Sequence, residues 1–331
     1  MRILVTGATG YIGQALCHQL MQTDHRIHVL CRSKEKAKSL THPNVQIFFG
    51  QIQDPVSVSE AMRDCESVFH LAAHAKMWDI DVSNFYKVNV QATDTLMQIA
   101  LQMNVRRVVY TSTGGTMEPY KIQSGPVTEN QPRYQEPDTD YVKSKLIAER
   151  RVLSFSNKGL EVVVVNPTRV FGPGKFSDSN AVTRMIKQFC EGKWKFLPGS
   201  GKSQANYVYV DDVVKGHLLA LNKGLSGERY ILGGTNISYL ELFQLLKELS
   251  GASQHLWKIP VPLIVYYAYL QLLGARFLGI EPSIIPAFAK KLTKHWPMSS
   301  DKAISKLGYT ITPLREGLMK TLQWLEHGRG R

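Results

Sequence analysis

Cysteine is scarce and nothing in its spacing pairs it: Cys17, Cys31, Cys65 and Cys190 make no CxxC step. That excludes a disulfide-framed secreted scaffold and reads as reduced thiols in a cytoplasmic protein. No metal-ligand spacing is present, so no metal is expected. Long apolar runs are missing too. The most apolar stretch, Ile259 to Ile280, is broken by Pro260, Pro262, Gln271, Gly274 and Arg276. It falls short of the roughly 20 apolar residues of a membrane span and reads as a buried or surface-seeking helix, compatible with peripheral membrane contact. Met1 to Gly7 run straight into an apolar strand and its turn, leaving no room for a signal peptide. Internal repeats and low-complexity linkers are absent. So are zinc-finger spacing, aromatic-basic RNA signatures and long basic runs, and nucleic acid is not an expected partner.

What the chain does have is positive charge. Lys and Arg number 40 against 27 Asp and Glu, a net charge of +13, scattered apart from clusters such as Lys290, Lys291 and Lys294. A surplus of this kind concentrates anions, and it reads as a solvated basic surface that helps attract a phosphate-bearing cofactor. The length of 331 residues and the apolar share of 44% allow one good core and a smaller second one.

The first two-thirds alternates β-branched runs with amphipathic segments. Strands are predicted at Arg2–Thr6, Ile27–Cys31, Val45–Phe49, Ser67–Leu71, Arg107–Thr111 and Glu161–Val165, with helices such as Ile12–Met21, Val56–Met62 and Thr93–Met103 between them. That rhythm implies an α/β fold, a Rossmann-type doubly wound parallel sheet. After Phe171 turn clusters break the rhythm. Val208–Val210 and Tyr230–Leu232 are expected to return to the sheet or its margin, and from Ser238 the chain reads as mainly helical. The expected organisation is a cofactor-binding domain of residues 1–170 plus about 205–235, and a smaller, mainly helical C-terminal substrate domain of 171–204 plus 236–328.

Thr6-Gly7-Ala8-Thr9-Gly10-Tyr11-Ile12-Gly13 forms a strand end, a glycine turn and a helix start. Gly7 permits the tight turn, Gly10 lets backbone approach a pyrophosphate, and Gly13 allows close helix packing. The helix amino terminus then offers N–H groups and a favourable dipole to phosphates. An acidic residue at the end of the second strand would hold ribose hydroxyls. Here Arg32, Ser33 and Lys34 stand there, with no carboxylate before Glu35. Arg32, helped by Lys34, suits a 2′-phosphate, so NADP(H) is preferred over NAD(H).

Tyr141 and Lys145 lie four apart, on one face of a helix. A cation beside a phenol favours the phenolate, so Lys145 is expected to lower the pKa of Tyr141 and equip it for proton transfer with a carbonyl oxygen. Thr111, Ser112 and Thr113 end a strand, where an open α/β sheet presents chemistry. Thr113 is the candidate to hold the substrate oxygen, with Ser112 as competitor.

These motifs together resemble the extended, or atypical, short-chain dehydrogenase/reductase superfamily. Further matches are His70-Leu71-Ala72-Ala73, Asn89-Val90, Asn166-Pro167 and Val208-Tyr209-Val210-Asp211-Asp212. The resemblance spans almost the whole chain and looks closest to the dihydroflavonol-4-reductase-like branch, through Asn166 to Pro173 and Gly227 to Gly234. It implies Tyr141 as acid/base, Lys145 as its partner and ribose ligand, and Thr113 as substrate-orienting hydroxyl. It places Gly7, Thr9, Gly10, Tyr11, Ile12, Gly13, Leu71, Ala72, Ala73, Thr111 and Ser112 along the cofactor, with Pro167, Thr168 and Val170 near the nicotinamide. Asn89 would brace the sheet. Gln51-Ile52 stands where relatives carry an Asp-led adenine contact, and Thr113 replaces the commoner Ser.

The leading reaction is reduction of a ketone or aldehyde, or oxidation of the alcohol, on a non-nucleotide small molecule with an apolar body. Met77, Trp78, Met117, Phe171, Trp194 and Tyr207 are candidates to line its pocket. Nucleotide-sugar epimerisation or dehydration is the alternative. Against it, Thr113 is followed by Gly114-Gly115 where sugar dehydratases carry Asp-Glu, and Ala205-Asn206 stands where many epimerases carry a diphosphate-gripping Arg-Asp. A non-catalytic NADP-binding sensor or scaffold is the third reading, and it would have no need of Tyr141, Lys145 and a hydroxyl at 113 together. The superfamily's usual dimer through paired helices is expected to use Thr93–Met103 and Val142–Leu153.

Overall fold

The computed structural model describes residues 1–119, 125–292 and 294–327. In chain order the strands are β1 (Arg2–Thr6), β2 (Arg26–Cys31), β3 (Val45–Phe49), β4 (Ser67–His70), β5 (Arg107–Thr111), β6 (Glu161–Pro167), β7 (Arg169–Phe171), β8 (Phe196–Pro198), β9 (Gln204–Tyr209), β10 (Glu228–Leu232), β11 (Thr235–Ser238) and β12 (Trp257–Ile259). The helices are α1 (Tyr11–Leu20), α2 (Lys34–Ala37), α3 (Pro55–Met62), α4 (Ser83–Tyr86), α5 (Ala92–Gln102), α6 (Asp140–Ser154), α7 (Ala181–Cys190), α8 (Val210–Lys223), α9 (Tyr239–Ser250), α10 (Val261–Leu278), α11 (Pro286–Lys291), α12 (Asp301–Leu307) and α13 (Leu314–His327).

The main sheet is parallel, in the order β10-β6-β5-β4-β1-β2-β3. Its central strands are buried on both faces, as the unbroken run Val162–Val165 requires, while the edge strand β3 is not. Successive side chains divide between two cores: Ile3 and Val5 join α1 and α8, while Leu4 joins α3, α5 and α6. Strand order reverses between β1 and β4, and an open α/β sheet places its ligand crevice at such a reversal, beyond the carboxyl ends of the strands.

The second sheet departs from expectation. Val208–Val210 does not return to the main sheet. β9 runs from Gln204 to Tyr209, pairs with β7 and β11 in a three-stranded sheet, and gives way to α8 at Val210. Tyr230–Leu232 does return, as β10 beside β6. A third core gathers Phe171, Phe189, Tyr207, Phe243 and Leu318 around β7, β9, α7, α9 and α13.

A buried carboxylate ties these layers together. Glu149, on the inner face of α6, is 1% exposed. It accepts from Thr116 Oγ1 (3.1 Å) and Asn166 Nδ2 (2.9 Å), and pairs with Arg229 at 2.9 Å. Removing it takes the carboxylate from a half-buried guanidinium and from two buried donors. Glu149→Ala should cost about 3 kcal/mol of stability, read from the denaturant midpoint at unchanged slope.

Candidate active site

The glycine turn has the geometry a pyrophosphate needs. Gly7 sits at φ +74, where a side chain would be strained, and a Cβ there would lie 2.6 Å from the backbone of Leu71 and Ala72. A Cβ on Gly13 would lie 2.2 Å from the Gly7 carbonyl oxygen. α1 begins at Gly10 with no side-chain cap, so its first N–H groups are offered forward. Tyr11 contributes backbone only, since its ring is buried and its phenol donates to the Gly172 carbonyl at 3.0 Å. Thr6 Oγ1 accepts from the Ala72 N–H (3.3 Å) and bonds His70 Nδ1 (2.7 Å), which fixes the backbone of residues 71–73 beside the turn. Burial holds His70 neutral, down to about 3.

At the end of β2, Arg32 is exposed and forms no ion pair among the described residues. Ser33 is occupied as the cap of α2, accepting from Lys36 N, and Lys34 lies 5.7 Å over the Phe49 ring. Gln51 is exposed, whereas Ile52 belongs to the core under β4 and α3. These residues fit a dinucleotide, with the α1 terminus free to face its pyrophosphate and Arg32 exposed at the end of β2.

The catalytic candidates converge. Thr113 follows β5, and its Oγ1 accepts from Gly115 N at 3.2 Å. The Tyr141 phenol, half-buried at the start of α6, hydrogen-bonds the Thr113 side chain. One turn on, Lys145 is 2% exposed, donates to the Thr111 carbonyl at 2.6 Å, and lies 4.2 Å from the Tyr110 ring centroid. The expected lowering of Tyr141 by Lys145 is not what this geometry produces. Burial pushes the phenol up to about 12, opposed only by the Thr113 hydrogen bond. Burial pushes Lys145 down to about 7, opposed by Glu149.

The neighbouring hydroxyls separate clearly. Thr111 Oγ1 bonds His217 Nε2 at 2.8 Å, and His217 Nδ1 faces the Val213 carbonyl at 2.7 Å. Nδ1 therefore carries the proton, Nε2 accepts, and Thr111's hydroxyl is committed to the core. Ser112 Oγ is buried with no protein partner.

Asn89 braces a loop and a helix, not the sheet. It sits in a π-turn (Lys87–Gln91), accepts from the His74 N–H (2.7 Å), donates to the His74 carbonyl (3.2 Å), and donates to Ser144 Oγ (2.9 Å) between the two catalytic candidates. The loop it holds is closed by His74 Nε2 and Asp79 at 2.7 Å and carries the half-buried Met77 and Trp78.

The other four expected lining residues pack in cores, which corrects the expectation. Met117 is 2% exposed and packs with Val127, Ile231 and Met298. Phe171 packs against Tyr209, ring centroids 5.8 Å apart. Tyr207 is buried under Arg169, which donates to its hydroxyl at 3.3 Å and to Tyr239's at 2.6 Å. Trp194 stacks on Phe196 within the third core. Pro167 and Val170 are buried in β6 and β7, and Thr168 Oγ1 donates to Asn206. Asn206 is fully engaged, donating to Gly234, Asn236 and Met298, so it knits the second sheet together.

The open space lies elsewhere. A cavity of about 790 Å³ adjoins Thr113 through Gly115 and is lined by Arg133, Asp138, Gln204, Lys291, Lys294 and Trp296 among others. Lys294 pairs with Asp138 (3.0 Å), and Arg133 donates to the Thr116 carbonyl (3.0 Å). Lys291 has no carboxylate partner among the described residues, and burial pushes it down to about 8. The pocket expected to be apolar thus carries charges of both signs among its apolar walls, Glu118, Glu136 and Asp138 beside Arg133, Lys291 and Lys294. Apart from Lys291 and Lys294, noted only within a basic cluster, these wall residues carry no local motif. They come from segments about 150 positions apart.

The family model for the NAD-dependent epimerase/dehydratase family matches residues 3–233. Sterol demethylase protein B of Methylococcus capsulatus is 31% identical, over 98% of each chain. The 2-alkyl-3-oxoalkanoate reductase of Stenotrophomonas maltophilia is 28% identical, over 97% of this chain and 98% of that one. The crystal structure of gox2253 is 31% identical with a TM-score of 0.82, covering 99% and 98% of the two chains.

Proposed function

The chain belongs to the NAD-dependent epimerase/dehydratase family, and on that premise we propose that it is an NADP(H)-dependent reductase of a ketone or aldehyde on an acidic, partly apolar small molecule. The observation that carries this reading is the Tyr141 phenol hydrogen-bonded to Thr113 one helical turn from buried Lys145. The reduced nicotinamide supplies the hydride that the carbonyl carbon accepts. Thr113 orients the carbonyl oxygen, and Tyr141 gives it the phenolic proton, leaving an alcohol. A phenol held near 12 stays protonated at neutral pH, which suits donation to a carbonyl better than removal from an alcohol. Lys145 positions both ends, holding α6 against β5 and reaching the site where a ribose hydroxyl would lie.

The substrate's acid is read from Lys291, a partly desolvated cation that forms no ion pair among the described residues, in the cavity that adjoins Thr113 through Gly115. A relative whose name specifies a 3-oxoalkanoate, a ketone two carbons from a carboxylate, supports that reading. Nucleotide sugars fit less well, because no Arg stands at position 205 or 206 and Asn206 is occupied structurally.

Tyr141→Phe should lower ketone turnover by about 1,000-fold or more while leaving dinucleotide affinity within about twofold, measured by steady-state kinetics and fluorescence titration. Unchanged turnover would remove the mechanism. Arg32→Ala should lower kcat/KM for NADPH by about 10- to 100-fold and leave NADH nearly unaffected. Equal losses with both cofactors would contradict the 2′-phosphate role. Lys291→Met should raise KM for a 3-oxo acid about tenfold with little change in kcat, and leave an uncharged ketone unaffected. Because Lys291 loses its proton near pH 8, KM for the acid should climb as pH rises through that value in wild type only.

A further inference from the structure

α10 has two apolar faces and only one of them is buried. Ile264 and Ala268 pack into the third core, and Ala275 is fully buried beside them. On the outward side, Leu263, Tyr266, Tyr267, Leu270, Leu273 and Phe277 are between 48% and 82% exposed. They recur three and four residues apart, so they form one continuous stripe along a helix about 27 Å long. Exposed Trp257 and Ile280 extend it at either end. A helix that is apolar all round belongs inside a core, and a contiguous exposed stripe of this size marks a docking surface.

The charge around the stripe selects the occupant. From Trp257 to Ile280 there is no Asp or Glu, while Lys258 and Arg276 are exposed and form no ion pair among the described residues. A second copy of the chain docking through the same stripe would bring these cations together with no acid between them. An anionic lipid surface supplies the missing counter-charge over a wide area, and a net charge of +13 adds to the attraction. Three tyrosines on or beside the stripe (Tyr266, Tyr267 and Tyr269) have the apolar body and polar tip that suit headgroup depth. No helix among the described residues is long and apolar enough to cross a membrane, so the geometry is one of lying in the surface.

We propose that α10 is an interfacial helix that docks this protein on an anionic bilayer, with Leu263, Leu270 and Phe277 reaching the acyl boundary and Lys258 and Arg276 among the headgroups. This stands independently of the reaction proposed above.

Vesicle sedimentation tests it directly. The full chain should partition onto phosphatidylcholine vesicles containing phosphatidylserine, more weakly onto phosphatidylcholine alone, and less at high salt. The double variant Leu270→Glu/Phe277→Glu should lose about tenfold or more in partitioning, with an unchanged thermal transition because both positions are exposed. Arg276→Glu should reduce binding to the anionic vesicles selectively. No wild-type binding to either vesicle overturns the proposal, as does full binding by the double variant. A wild-type dimer that the double variant splits, seen by light scattering alongside absent vesicle binding, would assign the stripe to a second copy and also overturn it.

Discussion

The site depends on one buried ammonium. Lys145 is almost wholly removed from water, and desolvation alone would drive it to the neutral form. It is held by the Thr111 carbonyl, by the face of Tyr110 and by the field of Glu149 one turn further along α6. Those partners belong to β5 and to α6 itself, so α6 has one register in which the ammonium is satisfied. Sliding the helix by one residue would bury the charge against apolar side chains. That register places Tyr141 against Thr113, and Asn89 fixes the same helix from the other side through Ser144. Catalytic geometry and the packing of α6 on the sheet are therefore one constraint, with Glu149 closing its far end on Arg229.

Much of this was legible in the sequence because it is local. The strands β1, β3 and β5 are found where unbroken β-branched runs predict them, and the glycine turn follows from spacing alone. Tyr141 and Lys145 announce themselves by helical spacing. What the sequence concealed is long-range. β7 and β9 are short strands whose partner is decided by register with residues about 40 positions away, so β9 was assigned to the wrong sheet. Met117, Phe171 and Tyr207 are large and apolar enough for either a core or a pocket wall, and only packing separates the two. Tyr141's raised pKa was concealed in the same way. Spacing puts a cation nearby but says nothing of the direction in which that cation points.

The cavity shows the same limit from the other side. Arg133 precedes α6, and Lys291 ends α11, yet both face one space beside Gly115. Charge counting saw Lys290, Lys291 and Lys294 as a surface cluster. In the fold Lys294 is neutralised by Asp138 while Lys291 is drawn inward and desolvated. A lysine lowered by burial and held in no direct ion pair is an unfavourable arrangement for stability alone. An acidic ligand relieves that cost, which is why the cavity's chemistry is argued from Lys291 and not from the more numerous paired charges around it.

The outward face of α10 and the cavity that holds Lys291 are joined by structure. Gln271 on α10 accepts from Ser283 N (2.6 Å) and Ser283 Oγ (2.9 Å), fixing the turn that leads into α11 and hence to Lys291. From the same turn Glu281 pairs with Lys76 at 2.6 Å, on the loop that Asn89 and Asp79 hold beside the catalytic helix. Each exposed ion pair is worth little alone, but together these contacts form a path from α10 to the loop that carries Lys76 and, through the turn, to α11. On the two readings advanced above, a molecule with an apolar body and an acidic head would meet matching chemistry at both ends of that path. A water-soluble acid would have no need of the stripe, and a neutral lipid would have no need of Lys291. The combination therefore favours an amphiphile over either.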